Sequence, residues 1–230
     1  MSAPYRPDEV IPEPLAQVVG DIPHWFVIGG QAVRCLAPYR PSRDVDFGVE
    51  SPASLDELVD ALGRRGTVEI QERADDTVHL LWNGIRVSAF VLARLAPHVE
   101  DRRLDVTGVL ATKLHTILDR GLRRDFFDLY VMLERHRLGI VAALAAIRRV
   151  YEGPIEDGLL LRALTYFDDA DREAPLPAEG PRDWKLVKDF FLRQVGSLLT
   201  PPMRPLAIQA ETVDVRPLAQ KSKPRPKASR

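Results

Sequence analysis

Apolar and polar positions follow two different rhythms along this chain, and the change falls near residue 107. Before it, short apolar runs bounded by Gly, Pro and Asp dominate. PLAQVVGDI predicts a short helix, WFVIGG a buried strand ending on glycines, QAVRCLAPY a helix stopped near Pro38 and Pro41, and DVDFGV a second strand. SPASLDELVDALGRRG predicts a helix with Ser54 as N-cap, an acidic first turn and a basic end. VEIQERADDTVHLLWNGIRVSAFVL then reads as three strands, divided by the Asp75-Asp76 turn and the Asn83-Gly84 hairpin signal. After residue 107 the apolar spacing becomes helical in TGVLATKLHTILDRG, RRDFFDLYVMLERH, IVAALAAIRRVYEG, DGLLLRALTYFDDA and DWKLVKDFFLRQVGSLL. The expected class is α+β: a mixed sheet with helices packed on it over residues 1–106, a helical subdomain over 107–200, and a Pro-rich, basic, flexible tail over 201–230.

Composition narrows the setting rather than the activity. With 230 residues and 45% hydrophobic content, the chain can bury one sizeable core with a small helical addition. The 32 Lys and Arg nearly balance the 33 Asp and Glu, so any nucleic-acid-binding surface must be local. Cys35 is the one cysteine, no Cys/His cluster has zinc spacing, and no window is apolar enough to span a bilayer. A cytoplasmic protein with no membrane association is the expectation.

Chemistry concentrates between residues 26 and 49, FVIGGQAVRCLAPYRPSRDVDFGV. Strand side chains alternate faces, so Asp44 and Asp46 share one face, roughly 7 Å apart at their bases, while Val45 and Phe47 point into the core. Two carboxylates so placed suit a hard cation, magnesium or manganese, which takes further ligands from water and substrate phosphates. Gly29-Gly30 closes the preceding strand and opens a helix, where bare backbone N–H groups admit a phosphate. Arg40, Ser42 and Arg43 lie on the loop between and offer further phosphate contacts. Taken singly, a Gly-Gly is an ordinary turn and an Asp-x-Asp a polar strand face; their order within about 24 residues points to a site for a nucleoside triphosphate and its metal.

This stretch resembles the signature of the DNA polymerase beta-like nucleotidyltransferase superfamily. Within it, Gly29-Gly30-Gln31-Ala32 with Arg40-x-Ser42-x-Asp44-Val45-Asp46-Phe47 is similar to the AbiEii/AbiGii toxin family of minimal nucleotidyltransferases. KLHTILDRGLRRDFFDLYVML resembles the downstream block of that family. Lys113 and Arg120, seven residues apart, share a helical face if the helix persists, and Asp125 and Asp128 share a face of the next. The resemblance implies that Lys113 faces the triphosphate and that Asp125, with Asp128 behind it, contributes to catalysis or holds the basic residues. It also implies transfer of a nucleoside monophosphate to a hydroxyl, with a transfer RNA 3′ end as acceptor and a cognate antitoxin as partner. Transfer to an aminoglycoside-like small molecule or a protein hydroxyl, or a lapsed member that only binds nucleotide or a partner, are the alternatives.

One position departs from the superfamily pattern. Where many members carry a third carboxylate, the strand IRVSAFVL offers Ser88, which leaves the group that activates the incoming hydroxyl unassigned. The five histidines show no metal spacing and read as surface or capping residues, His115 pointing away from the site. Arg123 and Arg124 are candidates for nucleic-acid phosphate, with Arg124 able to pair with Asp128 instead.

Overall fold

The computed structural model describes residues 5–200 apart from Arg43, Pro154 and Ala178; the tail expected over 201–230 lies outside the described residues. Two short helices, α1 (Pro7–Val10) and α2 (Glu13–Val19), lead into β1 (Trp25–Val27), α3 (Gly29–Leu36), β2 (Val45–Val49) and α4 (Pro52–Arg65). β3 (Val68–Arg73), β4 (Thr77–Trp82) and β5 (Ile85–Val91) follow, then a 3-10 turn over Ala93–His98 and the two-residue strands β6 (Val99–Glu100) and β7 (Arg103–Leu104). The rest is helical: α5 (Val106–Asp119), α6 (Arg123–His136), α7 (Ile140–Val150), α8 (Asp157–Ala163), α9 (Asp168–Arg172) and α10 (Asp183–Leu199). No helix among the described residues is long and apolar enough to cross a membrane.

The strands form one mixed sheet in the order β3-β4-β5-β2-β1-β7-β6. β2 runs parallel to β5 and antiparallel to β1, so the carboxylate-bearing strand is central. Asn83 and Gly84 both take positive φ, 49° and 80°, as a tight β4–β5 hairpin requires. Period-two alternation then sorts the side chains. Val45, Phe47, Val78, Leu80, Val87 and Ala89 pack under α2 and α4, while Phe26, Ile28 and Leu104 enter a second core built mainly from α5, α6, α7 and α10. The second face of the sheet is covered by helices only beside β1 and β7, and over β2, β5 and β4 it forms one wall of a cleft.

Two expectations need correction. The helix after β2 starts at Pro52, whose fixed φ suits a first helical position, so the N-cap is Ser51, accepting from Ser54 N at 3.1 Å; the first turn carries no acid. The run 157–170 divides into α8 and α9, because a break lets Phe167 turn inward onto Phe126 and Trp184, at ring distances of 5.1 and 5.8 Å. Residues 93–104 hold elements too short to show a period, among them the β6–β7 hairpin turning on Asp101 and Arg102 with positive φ.

Strand β2 depends on one close approach. A Cβ on Gly48 would lie 2.3 Å from Phe26 Cε2, inside a core that cannot shift freely. Gly48→Ala is expected to cost roughly 1–3 kcal/mol, seen in thermal unfolding as a melting point lowered by several degrees.

Candidate active site

The polar end of the cleft is assembled around β2. Ile28 N donates to Asp46 O at 3.0 Å, and the chain then turns at Gly29, with φ +60°, into α3. A Cβ on Gly29 would stand 2.5 Å from Asp46 Oδ2, and one on Gly30 2.8 Å from Ser42 Oγ and 3.4 Å from Arg40 Nη2. The glycine pair is therefore needed for contact with the acidic pair as well as for the turn. Gln31, fully buried, staples the loop that carries Ser42 and Asp44: its Nε2 donates to Ser42 O at 3.4 Å and Asp44 O at 3.3 Å, and its Oε1 accepts from Arg34 at 2.9 Å. Gly29, Gly30, Arg40, Ser42, Asp44, Asp46, Lys113 and Arg120 all line this cleft, whose volume is about 770 Å³.

Behind the wall lies a knot of charge. Asp128, buried on α6, accepts from Lys113 Nζ at 2.7 Å and from Arg40 Nη2 at 2.9 Å, and the Tyr39 hydroxyl donates to its Oδ1. Asp125, 0% exposed, is held by Arg120 through two bonds of 3.0 and 3.1 Å. Neither carboxylate lines the cleft. Asp128 grips two cations that do reach it, Lys113 and Arg40, and Asp125 orients Arg120, the arrangement of the second role that the resemblance left open, holding the basic residues. Arg120 follows α5 as its C-cap instead of sharing its regular face with Lys113.

Other basic and aromatic residues fall differently from expectation. Arg124 lines the cleft, and among the described residues Asp128 pairs with Lys113 and Arg40 rather than with it. Arg123 is buried against Glu179 and lies over Trp184 at 4.9 Å, so it is unavailable to nucleic acid. His115 does face the cleft, stacked on Tyr151 with ring centroids 4.7 Å apart. His79 lines it as well and is bonded through Nδ1 to Ser88 Oγ at 2.9 Å. Arg43 lies outside the described residues. Gln31, quoted only as part of the motif, and Tyr39 had no role assigned from the sequence: the partners of Gln31 are main-chain carbonyls 11 and 13 positions on, and Tyr39 meets Asp128 across 89 positions.

Burial raises the Asp46 carboxyl above the usual range; Lys113 opposes the rise and Asp44 adds to it. A carboxylate pushed toward its neutral form beside a second acid is a donor set that a divalent cation would neutralise, so Asp44 and Asp46 fit magnesium or manganese with remaining ligands from water and phosphate. Burial alone would raise Asp128, but Lys113 and Arg40 outweigh it and hold that carboxyl below the usual range. Its folded pKa is thus depressed, and the stability it contributes is present above the unfolded value of about 3.9 and lost as pH falls from there through the folded value. Asp128→Asn should cost about 3–5 kcal/mol near neutrality, because the buried Lys113 and the partly buried Arg40 lose their counter-charge. Urea unfolding at a series of pH values checks both effects: below about pH 4 the wild type should lose its advantage over the variant.

An uncharacterised protein of Aquifex aeolicus (strain VF5) is 27% identical over 187 residues, covering 76% of this chain and 88% of that protein. A Helicobacter pylori crystal structure provisionally described as a nucleotidyltransferase is similar over 81% of this chain and 93% of its own, at 16% identity and a TM-score of 0.47. A second from the same organism, JHP933, has the same coverage and identity with a TM-score of 0.37. The model of the nucleotidyl transferase AbiEii toxin family, of type IV toxin–antitoxin systems, matches residues 86–207, more than half of the chain, beginning on the strand that borders Asp46 and running through the Lys113–Asp128 knot. The chain belongs to the AbiEii nucleotidyl transferase toxin family.

Proposed function

We propose that this protein transfers a nucleoside monophosphate from a nucleoside triphosphate to a hydroxyl, with the 3′ end of transfer RNA as acceptor and pyrophosphate as leaving group, and that it is the toxin of a pair held in check by a cognate antitoxin. The observation that carries this reading is the convergence, in one cleft, of a bare Gly29-Gly30 turn, the acids Asp44 and Asp46, and Lys113 fixed from behind by Asp128. The family supports the reaction class and the toxin role.

The chain's residues divide the work. Gly29 and Gly30 leave backbone open to phosphate oxygens at the start of α3, with the Ser42 hydroxyl and Arg40 guanidinium beside Gly30. Lys113 and Arg120 supply positive charge where negative charge accumulates on the departing pyrophosphate, and their buried partners keep both side chains in place before substrate arrives. Arg124 adds a further cation at the cleft wall. Magnesium or manganese held by Asp44 and Asp46 would supply Lewis-acid polarisation of the phosphoryl group under attack. Transfer in this class rests on positioning and electrostatics more than on covalent chemistry by the protein.

Labelled ribonucleoside triphosphates, incubated singly with the protein, magnesium and either total transfer RNA or an aminoglycoside, will show label following the RNA. The Asp44→Asn, Asp46→Asn double variant should lower transfer by on the order of 10³-fold or more, and full transfer by it would sink the mechanism. Gly29→Ala, which forces Asp46 aside, should lose most activity while retaining a near-native fold by circular dichroism. Expression of the chain alone should arrest bacterial growth, with relief by Lys113→Ala.

A further inference from the structure

The wall of the cleft contains a polar row set by strand register. Asp46 on β2 is paired with Ser88 on β5, Ser88 with His79 on β4, and His79 with Glu72 on β3. All four lie on the cleft side, while their strand neighbours Val45, Val87 and Val78 are buried beneath. β5 has no acid beside Asp46, yet the place is not chemically blank: Ser88 Oγ is bonded to His79 Nδ1 at 2.9 Å. The ring is further braced edge-on by Phe90, at 5.5 Å and 77°.

Resting on the nucleotidyl-transfer reading above, we propose that His79 is the group that takes the proton from the acceptor hydroxyl, and that Ser88 positions it. Neutral imidazole carries one N–H and one lone pair, and the bond made by one nitrogen decides which is which. The tautomer assigned by this proposal donates its Nδ1 hydrogen to Ser88 Oγ and carries its lone pair on Nε2, for which no protein hydrogen-bond partner occurs among the described residues. The acceptor O–H gives its proton to Nε2 as its oxygen forms a bond to the α-phosphorus. The bond from that phosphorus to the bridging oxygen breaks, and the electron pair leaves with pyrophosphate. The row from Asp46 to His79 crosses two inter-strand steps, each about 4.8 Å, which sets the base one side chain away from the acid pair and leaves the space between for the incoming hydroxyl. Glu72, next in the row and exposed, faces His79 from β3, and Arg86 lines the same part of the cleft.

The test uses the full chain, magnesium, each labelled ribonucleoside triphosphate in turn and total bacterial transfer RNA. His79→Ala and His79→Asn should lower kcat by about 10²-fold or more with KM for the triphosphate little changed; Asn can still donate to Ser88 but cannot take the proton. Ser88→Ala should lower kcat by about tenfold, and Ser88→Thr should restore it. Added imidazole should return several-fold activity to His79→Ala and none to the Asp44→Asn, Asp46→Asn variant, a recovery that a merely structural role for His79 would not produce. Wild-type kcat in either His79→Asn or Ser88→Ala, a loss confined to KM, or a His79→Ala deficit that imidazole leaves untouched would overturn the assignment while leaving the reaction class standing. Absence of transfer by the wild type would overturn the reaction and the assignment together.

Discussion

Asp128 is the constraint on which the site depends. A carboxylate removed from water is costly unless its charge is compensated and its lone pairs are occupied. Here one anion takes bonds from Lys113 on α5, from Arg40 and Tyr39 on the loop after α3, and does so from α6. Three segments from both halves of the chain are therefore tied at a single atom pair. The apolar core joins the sheet to the helices, and this charge compensation holds the two cations that face the cleft at their junction.

Close contact does the complementary task on the other wall. Gly29 and Gly30 let the chain pass within van der Waals distance of Asp46 and Ser42, and the buried Gln31 amide draws the Ser42–Asp44 loop against α3. One wall is thus shaped by missing side chains and the other by overlapping ion pairs. Both leave charged groups oriented in advance, which lowers the reorganisation that charge movement in the cleft would otherwise require. Cys35, in the last turn of α3, takes no part: burial pushes its thiol up to about 11, where it stays protonated.

The parts legible in the sequence are those governed by short-range rules. Asp46 on β2 and Asp44, one residue before that strand, reach one cleft as alternation predicts, the Asn83-Gly84 pair turns because its φ values demand it, and the bounds of α6 and α10 coincide with their apolar periods. What stayed hidden required distant partners. Spacing alone could place Asp125 and Asp128 on one face, but not decide that one would meet Arg120 and the other Lys113, Arg40 and Tyr39. His115 turned toward the cleft because Tyr151, after α7, gave it a stacking surface. Likewise Ser88 looked like a gap on its own strand, and only the register with β4 supplied His79.

That register gives the small Asn83–Gly84 turn an influence beyond its size. The turn closes the end of the hairpin nearer Asp44 and Arg86, and its two-residue length decides which β4 side chain stands opposite Ser88. Lengthening it by one residue would exchange the faces of a whole strand, presenting Val78 or Leu80 to the cleft and driving His79 into the apolar layer. Among relatives, insertions should therefore be least tolerated at this two-residue turn: with His79 in its proposed role, the reading frame of the hairpin sets the reach of the base.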